Sequence, residues 1–220
     1  MTAPRAILYG VGSPYAADLE EVCRRAQVEL VGFVANVEGE TFASAAAPLL
    51  RPGDLIPAYA DTAFVVPLVG PAYRHAAAAE ARALGLKPLA RLVDPSAVVA
   101  ASAVMGEGVS VNAAVVIGAA SRLGEQVLVN RSASIGHHCV LEPYVTIGPG
   151  AVLAGGVRLG RGVFVGAGAV LLPEVEIGAN TVVGAGAVVT RSAPAGCVLV
   201  GNPARVVKTG VAGYRDVGVP

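Results

Sequence analysis

The chain has 220 residues, room for two modest domains, and balances 16 Lys and Arg against 16 Asp and Glu, so no global field draws in nucleic acid or an anionic membrane. Although 54% of its residues are hydrophobic, Gly, Arg or Glu interrupts every apolar stretch before the roughly 20 residues that a spanning helix needs. Cys23, Cys139 and Cys197 are widely spaced with no CxxC pair, and the N-terminus shows no signal-peptide pattern, which points to reduced thiols and a cytoplasmic protein.

Residue usage changes near residue 90, with a boundary at about Asp94-Pro95, and divides the chain into 1–90, 91–205 and a C-terminal tail, 206–220. The first segment opens with an apolar strand, Ala6 to Tyr9, that runs into a turn containing Gly10 and Gly12. A helical pattern follows through Leu19, Val22, Cys23 and Ala26. Further strands are expected at 29–34 and 63–69, and an Ala-rich helix at about 72–84. The sum is a short parallel sheet with helices, an α/β Rossmann-like domain. Glycines at 10 and 12 would let a phosphate approach a helix N-terminus, but Tyr15 replaces the third Gly of GxGxxG. The turn therefore serves either a nucleotide or a plain strand-to-helix connection.

From Val93 to Val189 every sixth residue is Val, Ile, Leu or Met, 17 times without a break. Four places after each stands a small or β-branched residue, Cys139 among them, where packing is the expected role of the thiol. The place just after the aliphatic is often Gly, read here as the permissive backbone of a sharp turn. Each hexad is then a short strand plus a corner, and three hexads close a triangular coil of 18 residues. At about 4.8 Å per stacked strand the prism stands roughly 27 Å tall. Its inward aliphatics alone do not offset the backbone entropy of about a hundred ordered residues, so subunit packing, as a homotrimer, is expected.

This pattern resembles the hexapeptide-repeat acyltransferases, which implies a left-handed parallel β-helix. The two-domain order is similar to one subgroup, the bacterial sugar acetyltransferases that act on nucleotide-linked amino sugars or on sialic acid hydroxyls with acetyl-CoA. Segments 129–139, 149–156, 183–189 and 201–205 carry the likeness. It implies that His137 is the general base in a cleft between prisms, a task suited to an imidazole that titrates near neutrality, and that Asn130 lies near the acceptor. Where relatives carry an acidic residue after the catalytic His, this chain has His138, read as solvated or touching substrate. Thr146 replaces a second His that touches the cofactor carbonyl, and Gly155, Ala167 and Ala185 match the path of the pantetheine arm. Gly10, Gly12, Ser13 and Asn36 match the nucleotide-binding turn and the acidic pair after the second strand, although Asn36 is not acidic.

The resemblance implies acetyl transfer to the amino group of a nucleotide-linked sugar, with O-acetylation of a sugar hydroxyl as the close alternative. A non-catalytic trimeric scaffold shares the prism, as does the zinc chemistry of γ-class carbonic anhydrases. The latter needs three converging imidazoles, whereas His75 belongs to the front segment and His137 and His138 are adjacent. No metal is expected; the expected partners are a sugar substrate and acetyl-CoA.

Overall fold

The computed structural model describes residues 3–55, 59 and 62–220. Its front part is a five-stranded parallel sheet of β1 (Arg5–Tyr9), β2 (Glu29–Val34), β3 (Leu49–Leu50), β4 (Ala63–Val65) and β5 (Lys87–Pro88), in the order β3-β2-β1-β4-β5. Strand β1 is buried from Ala6 to Tyr9 because a helix covers each face. Alternate side chains divide between two cores: Ala6 and Leu8 pack with helix α1 (Tyr15–Arg25), Ile7 and Tyr9 with helix α2 (Pro71–Ala83). The expected third strand, 63–69, ends at Val65, two residues before Pro67, which has no amide to donate to a ladder. Strands β3 and β5, two residues each, are too short to leave a periodic signal.

The remainder is a three-faced parallel β-helix. The first face stacks Arg91–Val93, Val109–Val111, Leu128–Val129, Thr146–Ile147, Phe164–Val165 and Val182–Val183; the second runs from Val98–Val99 to Val188–Val189, and the third from Val104–Met105 to Glu176–Ile177. Partners such as Ile117 and Ile135 are 18 residues apart, one coil. The inward aliphatics and the small residues four places later form one continuous core, and Cys139 lies fully buried in it.

The glycine after each aliphatic has a different cause from the expected one. At Gly118 φ is ordinary, but a Cβ would stand 2.6 Å from the carbonyl carbon of Gly136 and 2.7 Å from the nitrogen of His137. Close approach of the next coil selects the glycine. The left-handed backbone falls two residues later, at Ala114, Ala120 and His138 among others, with φ of 56°, 58° and 56°.

The front domain sits on the first face. The outward residues Ser110, Leu128 and Thr146 are buried there, whereas Val98, Val116 and Val152 on the second face are 64%, 44% and 40% exposed. Arg74, on α2 and 2% exposed, closes the joint. Its guanidinium donates to the carbonyls of Leu68, Val69, Gln126, Tyr144 and Val145 and to Thr146 Oγ1, at 2.7 to 3.2 Å. Ion pairs Arg25–Asp94 and Arg82–Glu125, both 3.0 Å, flank it.

Residues 206–220 are not a free tail. Ala204–Thr209 pairs antiparallel with Cys197–Gly201, Tyr214 stacks on Phe164 with centroids 3.9 Å apart, and Asn180 clamps both the amide and the carbonyl of Val219 at 2.9 Å. No described helix is long and apolar enough to cross a membrane.

Candidate active site

His137 stands on the corner that follows the second face. Ile135 anchors the strand before it and Cys139 the strand after it, both buried, so the intervening pair, His137 and His138, is pushed outward and exposed. Backbone bonds tie the corner into its column: His138 donates to the carbonyl of Ala119 below, and Gly156 donates to the carbonyl of His137 from above, both at 2.9 Å. The neighbours in that column, Ala119, Ala120, Gly155 and Gly156, carry at most a methyl group, so the two imidazoles project from a low ridge.

The ring of His137 lies over Gly155. A Cβ there would stand 2.5 Å from Cε1 and 2.6 Å from Nε2. Nδ1 of His137 is 3.0 Å from Nδ1 of His138, with the rings edge-on at 83°. Nε2 of His137 has no hydrogen-bond partner among the described residues and is available to a substrate proton. Gly155, expected along the cofactor arm, is required to be glycine by the His137 ring itself.

Asn130 occupies the previous corner, which follows the first face. Its Oδ1 accepts from Asn112 Nδ2 at 3.0 Å and from the Arg131 amide at 2.8 Å. Asn112 in turn is bonded to the hydroxyl of Tyr15 at the start of α1, whose pKa burial pushes above the ordinary phenol range. The oxygen of Asn130 is spent on structure, so only its amide N–H is left to offer a ligand. Ala167 and Ala185 are exposed on this same corner, stacked above Arg131 and Pro149 through the bonds Gly168 N to Pro149 O and Gly186 N to Ala167 O. His137 and Gly155 therefore share one corner, Asn130, Ala167 and Ala185 share the other, and the valine-lined second face separates them.

Thr146 does not fit the role expected of it. It is 0% exposed, donates to the carbonyl of Val69 at 2.8 Å and accepts from Arg74 at 3.0 Å. With both functions of the hydroxyl committed inside the domain joint, it has none for a cofactor. The equivalent outward positions Leu92, Ser110 and Leu128 are likewise buried, a long-range contact with the front domain that hexad spacing does not reveal.

In the front domain the turn after β1 brings Gly10 and Asn36 together. Gly10 has φ +91°, donates to the carbonyl of Val34 at 2.8 Å, and faces Asn36 Oδ1. Gly12 is exposed beside Val37, and Ser13 Oγ accepts the Tyr15 amide at 3.3 Å just before α1. Asn36 Nδ2 donates to Glu80 at 2.7 Å. A carboxylate from α2, 44 residues away, thus stands beside Asn36, and Glu80 gave no signal in the local motif. The fully buried hydroxyl of Tyr9 has no hydrogen-bond partner within normal distance among the described residues, and burial together with the nearby Glu80 pushes its pKa up. These groups gather at the C-terminal ends of parallel strands, where doubly wound sheets bind ligands.

His75 packs edge-on against Tyr144, 4.9 Å between centroids, in the domain joint and away from the other two His. Among the described residues no group of three His, Cys, Asp or Glu could hold a metal ion.

Comparison with known proteins adds context to this geometry. Residues 156–191 match the family model "Bacterial transferase hexapeptide (six repeats)". No curated protein matches the sequence. Among solved structures, PerB from Caulobacter crescentus, in complex with CoA and GDP-perosamine, is 31% identical over 94% of this chain and 99% of its own, with a TM-score of 0.82. The acetyltransferase domain of PglB from Neisseria gonorrhoeae, in complex with acetyl coenzyme A, is 29% identical over 93% and 100%, with a TM-score of 0.83. WeeI from Acinetobacter baumannii is 26% identical over 94% and 100%, with a TM-score of 0.81.

Proposed function

The chain belongs to the hexapeptide-repeat acetyltransferases of nucleotide-linked amino sugars, and from that membership we propose how its own residues perform the reaction. Acetyl-CoA is the donor and the amino group of a nucleotide-linked sugar is the acceptor. The amine nitrogen attacks the thioester carbonyl, the C–N bond forms, the C–S bond breaks and CoA leaves as the thiolate. His137 Nε2 takes the proton released by the nitrogen, an assistance worth about 10²- to 10⁴-fold. The observation that carries this reading is the placement of His137 on an exposed ridge of small residues, with Nε2 unpartnered above Gly155.

The front domain is read as Rossmann-like, on its β3-β2-β1-β4-β5 order, and as the nucleotide holder, with Gly10, Gly12, Ser13 and Asn36 around the phosphates and base. The prism is read as left-handed, as in the family. Ala167 and Ala185 give the pantetheine arm a corner on which it meets backbone rather than side chains. Since Asn130 and the nucleotide turn lie at one corner and His137 at the next, one sugar reaches both only if two chains contribute. The exposed strip of Val98, Val116 and Val152 between the corners supports assembly through that face. The functional unit is accordingly a homotrimer with a site at each interface.

A CoA-release assay across GDP-, UDP- and dTDP-linked amino sugars tests the reading. Turnover is expected with at least one of them and is expected to fall by about 10² or more in His137→Ala, while acetyl-CoA binding persists. Release of CoA with free sialic acid and with none of the panel would replace it by O-acetylation.

A further inference from the structure

We infer that His138 is a positioning residue: its Nδ1 accepts the Nδ1–H of His137 and fixes the tautomer in which His137 Nε2 holds a lone pair. The inference rests on the reading of His137 as base. The two Nδ1 atoms are 3.0 Å apart, and neither ring bonds to any other described residue. At that distance one nitrogen carries hydrogen and the other does not. If His138 were the donor, His137 would be protonated at Nε2 and unable to take a substrate proton. With His137 as donor, Nε2 is free.

That polarity also strengthens as the reaction proceeds. When Nε2 of His137 takes the proton from the attacking nitrogen, the ring becomes a cation, and its Nδ1–H to His138 becomes a charge-assisted bond. A neutral imidazole thereby does at this corner what a carboxylate does elsewhere, holding the ring of the base from behind. The nearest acidic residue in the column, Glu174, leans over Gly156 from the coil above and makes no hydrogen bond to either imidazole. The backbone at His138 is left-handed, with φ 56°, and its ring stands edge-on to that of His137, centroids 5.2 Å apart. The same corner position one coil below is Ala120 at φ 58°, so alanine fits there without refolding the coil.

The test combines nitrogen NMR of ¹⁵N-labelled protein, with His137→Asn to assign the signals, and steady-state kinetics. At about pH 8, where an ordinary imidazole is neutral, His137 is expected to show hydrogen on Nδ1 in the native chain and to shift toward hydrogen on Nε2 in His138→Ala. In His138→Ala kcat is expected to fall about 10- to 100-fold with KM for acetyl-CoA unchanged, and His138→Asp is expected to restore most of it. Hydrogen on His137 Nε2 in the native chain, or a tautomer indifferent to His138→Ala, overturns the inference. The expected tautomer shift in a protein that acetylates no amino sugar would uphold the pair and sink the proposed function instead.

Discussion

The imidazole of His137 fills the volume that a side chain at Gly155 would occupy, and this makes residue 155 a probe of the proposed base that does not alter it. In Gly155→Ala the new Cβ falls 2.5 Å from Cε1, so the ring, as the mobile partner, must swing aside. A displacement of about 1 Å in a reacting group costs on the order of 10²-fold in rate, and kcat should fall on that scale while urea unfolding changes little, because φ at 155 is ordinary. Thr146 predicts the opposite signature. Thr146→Val leaves the Val69 carbonyl and Arg74 each short of a partner and should cost about 1 to 3 kcal/mol in urea unfolding, with KM for acetyl-CoA unchanged. A raised KM with unchanged stability would return Thr146 to the cofactor. The corner position of His137 follows from its hexad register, Ile135-Gly136-His137, because that register is local. The register could not show that Thr146 is buried, since the residues that cover it are 72 and 77 places away.

At the scale of the elements, two helices govern how the front domain behaves. Arg74 ties α2 to the prism through the carbonyls of Gln126, Tyr144 and Val145 and the Thr146 hydroxyl, and burial lowers its pKa to about 10. The folded value lies below the unfolded one, so the unfolded chain binds more protons above about 10, and this group adds stability only as pH rises past that value. At neutral pH it is charged in both states, and the joint is not a pH switch. Arg74→Ala strips several buried carbonyls of their donor, at about 1 to 3 kcal/mol each, and should split urea unfolding into an early front-domain transition and a later β-helix one. Cys23 on α1 acts with the opposite sign. Burial and the Glu20 charge push its thiol up to about 12 from 9.0, so its contribution is complete below pH 9.0 and is lost as pH rises toward about 12. Between 9.0 and about 10 the thiol acts before Arg74 responds, and stability should decline there. A Cys23→Ala variant should flatten that decline. The helices themselves were legible from apolar spacing. The joint was not, because Tyr15 and Asn112 meet across 97 residues and Arg74 bonds residues 52 to 72 places away.

For the whole molecule, the separation of the two corners sets the decisive prediction. Hexad register alone puts His137 at a corner, but only the fold shows which corner the front domain occupies, and hence that Asn130, bonded through Asn112 to Tyr15, lies on the side of the Gly10–Ser13 turn while His137 does not. If each site draws His137 from one chain and Asn130 from its neighbour, two inactive proteins repair each other. His137→Ala supplies an intact Asn130 corner and Asn130→Ala an intact His137 corner. In trimers assembled at random from equal amounts, each interface has about one chance in four of pairing the two intact corners, so about 25% of native activity should return after co-refolding. A site contained in one chain predicts no recovery at any mixing ratio, since every chain then carries a defect in its own site. The valine strip supplies the control: Val116→Lys places a charge on the exposed second face while the buried core beneath keeps its partners. It should leave the chain folded but monomeric by light scattering, and abolish both native and restored activity together. Activity that persisted in that monomer would show that the face between the corners closes no site.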